Sequence, residues 1–521
     1  MIEVEVHQQL RAFLREQGEP YWPHHLTMAR LVARALRLGR SALIQAGPPA
    51  GNRGRYRLSY LASALIWPES AILVVPQAVQ QRLLMVEIPR LRQWIQAYKP
   101  IQTGDRWPHP DFHGLLLVSP EDWLHDRLGA GDRFPENIPT IIDGADDLES
   151  WGRDCLTVRI TAQDWQALML AYPEFAPQIR NAQASLTHSI FQHPANPYEC
   201  CLLDDEAIDH LLNLETQLRS HPSDDFASAN SPNCHRPILP APWEDFWERL
   251  SEAVGNLAWV TIDRDRGQFT LHCGPADIAE TLTAVWQQQP VVLIGGALDM
   301  EGEANIYRQR IGLGDLTCVK FSPDRQNECI QLYVPDRLPM PNTREFQAAL
   351  LGKMRELLGV SLAIQGLTVL LIDDVPLKAQ LASQLAAEFG SRVQVEKTCL
   401  EENGILISGG QFWQDHQAVL PSPRLLAIAT LPIPSLENPL VAGRVAEYKR
   451  QRRDWFRLYL LPEAINQLQR AIAPVRECQG VVALLDNRIL HRSYGQQILA
   501  ALSPLARIDY LDDTLFAENA H

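Results

Sequence analysis

Apolar positions in the first third of the chain switch between two periods. LTMARLVARALRLG at 26–39 repeats them every three to four residues, as a helix does, and SALIQAG at 41–47 is a short apolar strand closing on glycine. RYRLSYLASALIW at 55–67 is helical again, and AILVVP at 71–76 is a compact aliphatic strand of the kind buried in a parallel sheet. The alternation continues through the helical run at 77–98 and the strands GLLLVS (114–119) and TIID (140–143). From 155 to 245 the pattern becomes helical, with AQDWQALMLAY and DEAIDHLLNLETQLRS followed by a Pro/Ser/Asn-rich stretch near 221–242. Strand signals return at AWVTID and PVVLIGG, and a second α/β run follows with GLTVLLID, GILISGG, RLLAIATLP and GVVALLD. The expected architecture is two α/β domains with parallel sheets, residues 1–154 with 246–300 and residues 301–521, separated by a helical insertion and linker at 155–245.

Length and charge narrow this picture. A chain of 521 residues exceeds what one core organises, so two domains and an insertion are expected. No apolar run approaches the roughly 18 residues of a membrane helix, and MIEVEVHQQLRAFLREQGEP lacks the basic head and apolar core of a secretory signal, so a cytoplasmic protein with no membrane partner is expected. Nine scattered cysteines, with Cys200 and Cys201 adjacent, suit neither a disulfide framework nor a CxxC metal site. A net charge of −15 argues against electrostatic coating of nucleic acid, so any such contact must be local.

The loop GPPAGNRG at 47–54 lies between a strand and a helix, where backbone N–H groups can cradle phosphate. It resembles the AGTGTGKT segment of DinG/XPD-type superfamily 2 DNA helicases, with Ala46, Gly47 and Gly51 in register and Asn52 and Arg53 at the lysine and hydroxyl positions. Further segments resemble that family's motifs in order: LVVPQAVQQRLLMVEIPRL (73–91), TIIDGADDLE (140–149, against IIDEAHNLE), the run ending VVLIGGAL (to 298, against SATL), the stretch at 321–342, GGQFWQDHQ (409–417, against FWEGVD) and the C-terminal signature at 461–495.

The resemblance implies two RecA-like P-loop NTPase domains with an arch-like helical insertion, ATP and Mg²⁺ as ligands, and single-stranded DNA or another nucleic acid as partner. It assigns Gly47, Gly51, Asn52, Arg53 and Gln469 to nucleotide, Asp143 to Mg²⁺, and Asp143, Asp146 and Arg476 to catalysis, with His24 and His25 near the adenine-reading position. The chain departs from the pattern where hydrolysis needs it. Gly144 replaces the water-positioning glutamate, Ala473 replaces the first arginine of QxxGRxxR, and Gln414 and Gln417 replace the acids of FWEGVD. No cysteine lies between Gly47 and Asp143, so the family's iron–sulfur cluster is not expected. In 444–457, six basic residues stand against two acidic ones, and Lys449, Arg450, Arg452, Arg453 and Trp455 form the candidate DNA contact; the same pattern also suits a solvated helix face.

Three readings follow. One is a helicase-like protein that binds nucleic acid, with or without nucleotide, and in which hydrolysis is weak or lost. Another is an active ATP-dependent DNA helicase using Arg53 or Arg55 and Asp146 or Glu149 as substitutes. The last is a protein-interaction scaffold binding neither ATP nor DNA.

Overall fold

The computed structural model describes residues 2–18, 20–48, 54–95, 98–129, 131–220, 239–252, 255–361, 366–401 and 403–510. The short aliphatic runs form one seven-stranded sheet ordered Thr317–Lys320, Ala42–Gln45, Val291–Gly295, Thr140–Asp143, Ala71–Val74, Leu115–Val118 and Ile101–Thr103, with every pairing parallel. Its central strands are buried throughout because both faces are covered. Ile44, Leu73, Leu117 and Ile141 pack on one side with the helices His25–Leu38 and Arg57–Ile66, while Leu43, Val74, Leu116 and Ile142 pack on the other with Trp123 and Leu148. A second seven-stranded parallel sheet runs Val393–Val395, Ile405–Ser408, Thr368–Leu371, Leu425–Ile428, Val481–Leu484, Ile330–Tyr333 and Leu505–Ile508. The expected RecA-like α/β pair is therefore present, and we call its halves the first and second lobes.

Two elements sit elsewhere than the sequence pattern placed them. Thr317–Lys320, expected in the second domain, pairs with Ala42–Gln45 at the edge of the first sheet. AWVTID, expected in the first domain, belongs to a four-stranded antiparallel sheet ordered Val158–Ile160, Gln268–Pro275, Asn256–Asp263 and Cys200–Leu202. The insertion is thus a mixed α/β unit that continues to Pro275. Its core sets Trp165, Trp243, Phe246 and Trp247, from the helices Ala162–Ala171 and Ala241–Ser251, against Ile160, Val260 and Leu271. The chain enters and leaves this unit through adjacent antiparallel strands, Val158 opposite Cys273.

Candidate nucleotide site between the lobes

The carboxyl ends of strands Ala42–Gln45, Thr140–Asp143 and Val291–Gly295 open into a cleft of about 410 Å³ between the lobes, where open α/β sheets bind ligands. Pro48, Arg57, Asp143 and Asp147 line its first-lobe wall, and Gln414, Asp415 and Arg470 its second.

Asp143 is the best-partnered group in this cleft. Its side chain is 2% exposed. Tyr56 Oη donates to Oδ1, and Oδ2 accepts from Tyr60 Oη at 2.8 Å and Arg57 Nε at 2.9 Å. All three donors come from one stretch, because Arg57–Ile66 begins immediately after the loop and one turn of helix separates Tyr56 from Tyr60. Burial first, and the charge of Asp143 second, push both phenols well above their ordinary range. Burial works against the Arg57 guanidinium, but the carboxylate beside it prevails and leaves it raised. A divalent cation at Asp143 would have to share that carboxylate with the Arg57 guanidinium already paired to it, so the residues present do not fit the Mg²⁺ that the resemblance implies.

The neighbouring positions are also committed. Gly144 sits at φ +91°, and a Cβ there would lie 3.1 Å from the Trp151 ring. A glutamate would therefore be strained and crowded as well as chemically new. Asp146 accepts the backbone N–H groups of Gly296 at 2.7 Å and Ala297 at 2.6 Å, which ties the TIID strand end to the IGGAL segment. Burial raises its carboxyl group, with Arg470 and the two N–H groups opposing. Gly295 permits this approach, since a Cβ there would stand 2.7 Å from Asp146 Oδ2. Glu149 pairs with Arg153 and, at 2.5 Å, with Arg310; burial opposes its charge, but the two arginines hold it down at about 2.

Other expected site residues are dispersed. Gly47 borders the cleft strand, whereas Gly51, Asn52 and Arg53 lie outside the described residues. Gln469 Nε2 donates to Ala501 O at 2.8 Å and is not among the cleft-lining residues. Arg476 is 3% exposed and donates to the carbonyls of Glu328 at 2.7 Å, Pro504 at 2.9 Å and Leu502. Burial lowers its guanidinium to about 10. This geometry makes Arg476 a brace within the second lobe, against the catalytic position expected for it.

The second-lobe arginine that lines the cleft is Arg470, which contacts Asp147 at 2.6 and 3.3 Å. It lies on helix Leu461–Glu477, whose apolar face (Leu461, Ile465, Leu468, Ile472, Val475) enters the core and so turns 463, 466, 470 and 477 toward the first lobe. Tyr56, Arg57, Tyr60, Asp147 and Arg470 were missed by motif matching. The available signal was polar and aromatic residues at helical spacing on otherwise apolar helices.

His24 stacks on Phe321 with ring centroids 4.9 Å apart. His25 is buried, with Nε2 donating to Pro20 O at 3.0 Å and Nδ1 accepting from Ser59 Oγ at 2.9 Å, the tautomer that a carbonyl partner requires. Burial lowers its pKa to about 4, with the Pro20 bond opposing. Because the folded value lies below the unfolded one near 6.5, the neutral ring's contribution is intact above pH 6.5 and is lost toward pH 4. Over that interval, equilibrium unfolding should show the wild type losing about 3 kcal/mol more than His25→Gln. Parallel pH profiles for the two proteins would contradict this.

In the candidate DNA contact, Arg450 pairs with Glu447 at 2.6 Å and Arg453 with Asp277 at 3.4 Å, while Lys449 Nζ sits 5.5 Å from the Trp455 ring centre. Lys449 and Arg452 remain exposed on the turn that ends helix Pro439–Arg450. No described helix is long and apolar enough to cross a membrane.

A family model described as helicase C-terminal domain matches residues 396–505. The chain is 27% identical over 292 residues to the ATP-dependent DNA helicase YoaA of Haemophilus influenzae, which covers 52% of this chain and 45% of that protein. It is 23% identical over 255 residues to the Escherichia coli YoaA, covering 46% and 40%. Against the 3'-5' exonuclease DinG of Bacillus subtilis it is 24% identical over 284 residues, covering 50% and 30%. The matched region spans less than half of each of these relatives. Its fold is similar to that of an XPD helicase (TM-score 0.59, 11% identity, 94% of this chain and 100% of that one) and of an apo XPD (TM-score 0.59, 12% identity, 92% and 100%). The chain is thus similar in sequence to YoaA and DinG proteins over about half of its length, and similar in fold to XPD helicases.

Proposed function

We propose, with kinship to the DinG/XPD-type helicases as the premise, that this chain is a two-lobed nucleic-acid clamp whose ATP hydrolysis is weak or lost. The carrying observation is the engagement of both Asp143 oxygens by Tyr56, Arg57 and Tyr60, with the Arg57 guanidinium already supplying the positive charge that a metal would bring. Hydrolysis also needs a water-positioning carboxylate and a cation facing the transferred phosphoryl group. Gly144 supplies no carboxylate, Ala473 supplies no cation, and Arg470 is paired with Asp147. Among the described residues, the substitutes for an active motor are occupied as well: Arg55 by Glu477, Asp146 by two backbone N–H groups, and Glu149 by two arginines. Single-stranded nucleic acid is the partner this reading assigns, with Lys449, Arg452 and Trp455 as the local contact.

Steady-state ATP turnover with and without single-stranded DNA tests the reading. The expected rate is at least about 10²–10³ below that of a motor with a complete site, with no stimulation by DNA. Strand binding is expected to persist and to weaken with salt, which separates a clamp from a scaffold that binds no nucleic acid. DNA-stimulated turnover that disappears in Asp143→Asn would replace this reading with that of an active helicase.

A further inference from the structure

Helix Leu461–Glu477 places Glu463, Arg470 and Glu477 two turns apart on the face turned to the first lobe. Their partners there are Arg310, Asp147 and Arg55, at 3.1, 2.6 and 2.8 Å. The signs run minus, plus, minus on the helix and plus, minus, plus opposite it. Between the first two rungs, Asn466 Nδ2 donates to Ala297 O at 2.5 Å, on the same segment that Asp146 fixes. Sliding the helix by two turns would set like charges face to face, so the ladder defines one register between the lobes.

A ligand held between two lobes favours their closed arrangement by binding both at once. Here the bridging contacts are already made by side chains. The cation on Asp143 is also built in, since Arg57 occupies both the cleft wall and that carboxylate.

We propose that this charge ladder latches the two lobes closed without nucleotide, so the clamp is set by the chain's own ion pairs and released by ionic strength or charge reversal. The inference deepens the clamp reading and rests on it for its biological meaning, but the latch itself is a property of the lobes.

Energy transfer between dyes attached to exposed sites on the two lobes of the full chain tests the latch. The wild type should show one high-transfer population at low salt, unchanged within error by Mg·ATP, and at least a twofold loss of that population in 1 M salt. Arg470→Glu should produce the same loss at low salt, and Asp147→Arg/Arg470→Glu should restore it by reversing the rung. Arg470→Gln provides a milder break if the charge reversal fails to fold, with folding checked by thermal melting. A wild type that is open alone and closes on Mg·ATP would overturn the proposal, as would a charge-swapped double variant that stays open. Strand affinity is measured separately. Closed lobes without strand binding would uphold the latch and remove the clamp reading, so the two failures are distinguishable.

Discussion

Replacing Asp143 by alanine should destabilise the first lobe by about 3–5 kcal/mol, the cost of leaving one member of a buried ion pair without its partner. The substitution strands the Arg57 guanidinium, whose side chain is 14% exposed, together with two phenol hydroxyls. Denaturant unfolding measures the loss. Asp143→Asn, which keeps an acceptor for the two tyrosines, should lose less. Asp143→Ala/Arg57→Met should recover part of the difference, because removing both charges leaves none uncompensated. A loss below about 1 kcal/mol for Asp143→Ala would mean that this carboxylate is a solvated ligand position. The experiment also bears on turnover assays. A variant chosen to remove a metal ligand would remove the anchor of the Arg57–Ile66 helix as well, so its activity is interpretable only alongside its stability.

Arg476→Ala should cost about 2–4 kcal/mol in the second lobe, since several buried carbonyls lose a charged donor together. Those carbonyls belong to Glu328, Leu502 and Pro504, just before the adjacent strands Ile330–Tyr333 and Leu505–Ile508, so one guanidinium binds the sheet's edge to its neighbour. Thermal melting with a probe in the second lobe should report the loss. An arginine acting on a phosphoryl group would show the opposite pattern, with an unchanged melt and a rate loss of roughly 10³–10⁵. An unshifted melting temperature would therefore refute the bracing role.

The lobes were legible because buried parallel strands are nearly uniform in composition: AILV, LLLV and TIID announce themselves without neighbours. The sheet of the insertion was not, since Val158–Ile160 and Cys200–Leu202 are three residues each and show no period. Thr317–Lys320 has outer positions exposed and inner ones half-buried, and its place at a sheet edge depends on a partner more than 270 residues earlier. In the site, motif order located Asp143 and the helix carrying Gln469 and Arg476. It could not say which way each side chain turned. Gln469 and Arg470 are neighbours in sequence, yet one bonds Ala501 inside its lobe and the other crosses to Asp147, because successive helical residues differ by about 100° in direction. The partners of Asp143 escaped for another reason: its donors lie more than 80 residues away and belong to no phosphate-binding motif.

The insertion's paired entry and exit strands have a mechanical consequence. A unit hung on two separate loops can twist and drift, whereas one hung on hydrogen-bonded antiparallel strands bends chiefly about the line they share. Arg453, which reaches from the second lobe to Asp277 two residues beyond the exit strand, pulls at the foot of that stalk. A small rotation of the second lobe is therefore delivered near the fulcrum, and the parts of the insertion farthest from these strands sweep through the larger arc.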